Sequence, residues 1–157
     1  MSSSFDVNWP RIRDLIAIRE GTIGNPPAVP AIEQAEIELG VRFPPSYRHL
    51  VTEVGALVWP ADVLGLGAGI PPGYNVVKVN LWERNEAYLK LPNHLLAFGP
   101  DGWGNHYCIQ TSTVEGEEGP VVLWNHNLDE LQIPQITHPS FTDWLQSTLA
   151  EAIQEEV

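Results

Sequence analysis

Beyond Lys90 the chain has no lysine and no arginine. Asp101, Glu115, Glu117, Glu118, Asp129, Glu130, Asp143, Glu151, Glu155 and Glu156 all lie in that stretch, so its carboxylates lack neighbouring cations in sequence and should present a negative field. The full chain carries 8 Lys+Arg against 20 Asp+Glu, a net charge of -12, which opposes docking on phosphate backbones or anionic lipid. Neither nucleic acid nor membrane is therefore expected as a partner. Cysteine is nearly as scarce. Cys108 stands alone, which excludes an internal disulfide and agrees with a reducing compartment. No run is long and apolar enough to span a bilayer, and Met1 to Val7 has neither the basic start nor the apolar stretch of a secretory signal. The expected location is the cytoplasm.

What is present suits one folded domain over residues 1–157. A hydrophobic content of 43% with 6 Trp, 4 Tyr and 4 Phe can fill one core, and two would be cramped. Asn8 reads as the cap of a first helix, with Pro10 in its opening turn and Ile12, Leu15, Ile16 and Arg19 on one face. Two further helices follow, each opened by proline and stopped by glycine: Pro30 to Gly40, with Ile32, Ala35 and Leu39 inward, and Pro44-Pro45 to Gly55, with Tyr47, Leu50, Val51 and Val54 inward. Between Asp62 and Lys78 there is no charge, and Gly65, Gly67, Gly69, Pro71, Pro72 and Gly73 mark a wandering loop or irregular edge. Val76, Val77, Asn80, Leu81 and Arg84 suit a fourth helix starting near Asn75, although the valine-rich composition also fits a strand.

The period then changes. Leu95 to Phe98, His106 to Gln110 and Val121 to Trp124 read as short strands of an antiparallel meander, joined by Gly- and Pro-bearing turns. Ser140 and Asp143 resemble a capping box, and Phe141, Trp144, Leu145, Thr148, Leu149 and Ala152 make a closing amphipathic helix. Helices, then strands, then a last helix give the α+β class: a mixed, largely antiparallel sheet in the second half, packed against the N-terminal helices and the C-terminal one.

Tests for catalytic chemistry fail one after another. Gly65-Leu66-Gly67-Ala68-Gly69-Ile70 lacks the third glycine of a dinucleotide loop, and Pro71-Pro72 would break the helix whose N-terminus must meet the phosphates. Asp101, Trp103 and Asn105 fall short of a calcium loop, because indole is no ligand and Ser112 stands where the bidentate Glu belongs. His106 and Cys108 share a strand face, but His94, His126 and His138 are dispersed, so ordinary surface histidines and a half-buried thiol explain them better than zinc. The Glu115, Glu117 and Glu118 cluster lies between glycines and suits a hydrated turn better than a buried acid-base pair. No cofactor and no catalytic or metal site is expected. Among the aromatics, Trp144 and Phe141 belong to the packed face of the last helix, whereas Trp103, held between glycines, suits contact with a partner. Trp59 and Trp82 fit either role.

The motif Leu39-Gly40-Val41-Arg42-Phe43-Pro44-Pro45-Ser46-Tyr47-Arg48, preceded by Ala35-Glu36, is followed in order by three more pieces. These are Leu96-Ala97-Phe98-Gly99 running into Asp101 to Ile109, then Val121 to His126, then Ser140 to Leu145. Together they resemble the SUKH superfamily, the bacterial immunity-protein group that includes the fungal cell wall assembly regulator domain. The resemblance runs through nearly the whole chain. It departs at Phe43, where Leu is usual, and at Asn105 and Asn125, where Asp is usual, which removes negative charge from the turns.

The resemblance implies a mixed sheet with helices packed around it, no cofactor, and frequent service as the antidote to a toxin, often a nuclease. The expected function is accordingly non-catalytic protein binding, with an acidic surface capturing a basic toxin domain. The expected contact residues are Asp101, Trp103 and Asn105 on one turn, Glu115, Glu117 and Glu118 on the next, and Trp124, Asn125 and His126 at a strand end. The alternative is an intracellular regulatory or scaffolding module of the cell wall assembly type.

Overall fold

The computed structural model describes residues 4–156, with side chains from Asn8 onward. Met1 to Ser3, part of the stretch read above for a secretory signal, lie outside the described residues, as does Val157. The chain runs through α1 (Ser4–Ile18), β1 (Thr22–Ile23), α2 (Val29–Leu39), α3 (Pro45–Val54), β2 (Ala56–Leu57) and α4 (Val76–Asn85). It then forms β3 (Leu95–Pro100), β4 (His106–Gln110), β5 (Val121–Trp124), β6 (Gln135–His138) and α5 (Phe141–Glu155). The class is α+β.

The proline and glycine punctuation places α2 and α3 as expected, and Gly40 closes α2 at φ 66°, where a side chain would be strained. Helix α1 differs: it begins before Asn8, so Asn8 is not its cap and Pro10 lies inside the helix. The proline ring removes one rung of the hydrogen-bond ladder there. Asn75 caps α4 by accepting from the Lys78 N–H at 3.0 Å, and Ser140 caps α5 by accepting from Asp143 N–H at 3.2 Å.

The main sheet is antiparallel throughout, in the order β3-β4-β5-β6, while β1 and β2 form a separate two-stranded pair. The only parallel pairing among the described residues is an isolated bridge between Gly65 and Asn75. Because side chains alternate along a strand, each face of the sheet has its own set. Leu96, Phe98, Ile109 and Val121 face the large core with Tyr47, Leu50, Phe141, Trp144 and Leu145. There Phe98 stacks on Phe141 at 5.1 Å and meets Trp144 edge-on at 4.8 Å. Leu95, Ala97, Cys108, Val122 and Trp124 face the other way and close a smaller cluster with Leu91.

The glycine-rich segment after Asp62 is a surface loop only in its second part, where Ala68, Gly69 and Pro71 to Gly73 are exposed. Val63, Leu64 and Leu66 are buried, Leu64 N–H donates to Phe98 C=O at 2.7 Å, and the Tyr47 hydroxyl donates to Leu64 C=O at 2.7 Å. A Cβ on Gly65 would collide with the carbonyl of Gly55, and one on Gly67 with that of Asn25. Glycine is there because backbone passes backbone.

The edge at β3 is closed by a side chain. Asn80, fully buried on α4, accepts from Ala97 N–H at 2.9 Å and donates to Ala97 C=O at 2.9 Å, pairing with the strand as a peptide group would.

Candidate functional site

The expected contact residues fall into two groups at opposite ends of the sheet. Successive turns of an antiparallel meander alternate ends, so the β3–β4 turn shares an end with the β5–β6 connection and not with the β4–β5 turn. Asp101, Trp103, Asn105, Asn125 and His126 are brought together; Glu115, Glu117 and Glu118 lie at the far end of β4. The expectation of one surface holding all of them is corrected accordingly.

The second group is engaged with its own fold. Glu118 accepts from Ser46 N–H at 2.8 Å and from the Ser46 hydroxyl, supplying α3 with the N-terminal cap that Pro44 does not. Glu115 lies 3.6 Å from Arg42, and Glu117 accepts from Ser112 Oγ at 2.7 Å. The turn between α2 and α3 is tied from the other side by Glu36, which accepts from Phe43 N–H at 2.8 Å and from Arg48 at 3.5 Å.

Trp124 is also corrected. It is 2% exposed within the smaller cluster, because position 124 points to the same face as Val122 and Cys108.

At the shared end, Asp101 organises the β3–β4 turn. Its carboxylate accepts from Trp103 N–H at 2.7 Å, Asn105 N–H at 3.1 Å and the Asn105 side-chain amide at 2.8 Å. Burial works against its ionisation, but these bonds outweigh that and, with a smaller electrostatic contribution from His106, hold the carboxyl below its ordinary pKa. The turn needs Gly102 at φ 85° and Gly104 at φ 90°, and between them Trp103 stands 82% exposed.

Hydrogen bonding then fixes the orientation of Asn105 and places a proton on His126. The Asn105 NH2 must face the Asp101 carboxylate, so its Oδ1 faces His126, accepting from the backbone N–H at 3.1 Å and from Nδ1 at 2.7 Å. His126 Nδ1 therefore carries a proton. An ionised Asp at position 105 could not make both contacts, having no proton to give Asp101. The imidazole packs on Gly104, where a Cβ would come within 2.7–3.0 Å of ring atoms.

Sequence reasoning missed the next segment. After His126, Leu128, Leu131 and Ile133 are exposed, Leu131 at 84% and Ile133 at 94%. The segment is ordered by its own polar groups: Asn125 N–H donates to Gln132 Oε1 at 3.2 Å, Gln132 Nε2 donates to Asn125 C=O at 2.9 Å, and Leu131 N–H donates to Asp129 at 2.9 Å. Apolar residues set among Asn and Asp turn formers were the available signal. Like Trp103, these are large apolar side chains left exposed, and they lie in sequence beside Asp129 and Glu130.

On the opposite face, His106 Nε2 lies 3.1 Å from Glu83 and Cys108 is buried. Burial, with the nearby Glu83 charge, pushes the thiol well above its ordinary pKa, so it stays protonated and donates to His106 C=O. Among the described residues no three of His, Cys, Asp and Glu stand close enough to hold a metal ion, and no helix is long and apolar enough to cross a membrane. A shallow cavity of 250 Å³ lies beside Asp101, lined also by Pro100, Tyr107, His138 and Trp144.

No curated protein matches the chain. A family model described as SUKH_5, SMI1-KNR4 cell-wall, matches residues 12–150.

Proposed function

The chain belongs to the SUKH_5, SMI1-KNR4 cell-wall family, and on that premise we propose that it is a non-catalytic protein-binding domain, an immunity protein of the bacterial type that occupies a basic toxin domain. The observation that carries this reading is Trp103: a large aromatic 82% exposed, on a turn pinned by three hydrogen bonds to Asp101, in a stretch without any cation. A rigid aromatic costs little entropy to bury and is the commonest kind of anchor at protein interfaces. The surrounding carboxylates would draw in a cationic partner and speed encounter. No step requires chemistry from this chain; occupying the toxin's active face is sufficient. The contact set is Asp101, Trp103, Asn105, Asn125 and His126, extended by Leu128, Leu131 and Ile133.

Coexpression with the toxin encoded beside its gene tests the reading. Protection of the cells and a complex that copurifies are expected, and Trp103→Ala should weaken the complex by at least about tenfold while leaving the circular dichroism unchanged. Unprotected cells with no complex would reject it.

The family description names the cell wall, which favours a second reading as a regulatory module docking on a cellular protein. A gene with no toxin neighbour, and a deletion strain with altered wall integrity, would select that reading over the first.

A further inference from the structure

The two edges of the main sheet are treated differently. At β3, Asn80 and the Leu64 backbone occupy the outward hydrogen-bonding groups. At β6, one side pairs with β5, and among the described residues no backbone or side-chain group pairs with the other. None of its side chains is buried, Ile136 is 60% exposed, and Ile133 just before it is 94% exposed. An unpaired edge is a template for another strand, and Ile136 offers an exposed apolar side chain on it.

We infer that the outer edge of β6 accepts an extended, cation-flanked segment of a partner protein as an added strand. This rests on the protein-binding reading above and specifies its mode. Charge selects the occupant. Asp129 and Glu130 precede the strand, α5 beyond it carries Asp143, Glu151 and Glu155, and no Lys or Arg follows Lys90. Glu130, Glu151 and Glu155 have no ion-pair partner among the described residues, so a second copy would bring these like charges together, whereas lysines flanking an alternating apolar segment would meet opposite charge. Pro134 and Pro139 bracket the strand and confine pairing to its 4 residues. The edge is thus open to one short segment and closed to extended aggregation.

Two synthetic peptides test this on the full chain: alternating Val and Thr flanked by lysine pairs, and the same core flanked by glutamate pairs. The lysine peptide should bind at least about tenfold more tightly and slow amide hydrogen exchange at Gln135 to His138. Ile136→Lys should abolish that preference with an unchanged thermal midpoint, since the side chain is exposed; Ile136→Val should retain it. Equal affinity for the two peptides, protection confined to the Trp103 turn, or a dimer whose β6 amides are already protected without peptide would each overturn the inference. The peptides need no toxin, so their failure alongside intact cell protection removes only the edge inference, and the converse removes only the toxin reading.

Discussion

At the scale of single residues, most polar groups near the family motifs are engaged by backbone. Tyr47 is fully buried, and burial raises its phenol far above the ordinary range, so its hydroxyl remains a donor to Leu64 C=O under all physiological conditions. Tyr47→Phe leaves that carbonyl without its donor and should cost about 1–2 kcal/mol, read as a lower urea midpoint at constant slope. Asp101 gives a pH prediction. Its folded pKa lies below that of the unfolded chain, so its contribution is complete above the ordinary carboxylate range of about 4 and is lost as pH falls through the lower folded value. The Trp103 indole resonance should broaden or shift over that acid window, and Asp101→Asn should remove the transition.

At the scale of elements, two long-range ties do what local sequence could not. Glu118 caps α3 from 72 residues away, so Glu118→Ala should destabilise the fold by about 1 kcal/mol and speed hydrogen exchange in the first turn of α3. Asn80 serves both backbone groups of Ala97, and Asn80→Leu, with the same branching but no polar atom, leaves both orphaned at roughly 2–5 kcal/mol, measurable by thermal and urea unfolding. Helices α2, α3, α4 and α5 and strands β4 and β5 were legible because proline, glycine, caps and alternation are local signals. Strand β6 was not, because it buries no side chain and so shows no alternation. Trp103 could be read as exposed from its flanking glycines, but the burial of Trp124 depended on which sheet face position 124 takes. The acidic turn at Glu115 to Glu118 looked free because its partners, Arg42 and Ser46, are remote in sequence.

At the scale of the molecule, the carboxylates divide between structural duty and open surface. Glu118, Glu115 and Glu156 are bound to Ser46, Arg42 and Arg19, whereas Glu130, Glu151 and Glu155 make no ion pair among the described residues. The free set, with Asp129, governs long-range attraction, screened over about 10 Å at 0.1 M salt. Association with a basic partner should therefore slow with added salt while dissociation changes little, and Asp129→Asn with Glu130→Gln should lower the association rate several-fold in stopped-flow measurements. The Glu118 tie has a further consequence. A chain cut between Lys90 and His94 would yield a helical piece with an uncapped α3 and with Asn80 facing no strand, and a strand piece with its β3 edge bare. Neither piece should be viable by itself, yet the two should recognise each other when mixed, which makes the domain a natural candidate for a split reporter whose reassembly is read out by recovery of the native spectrum.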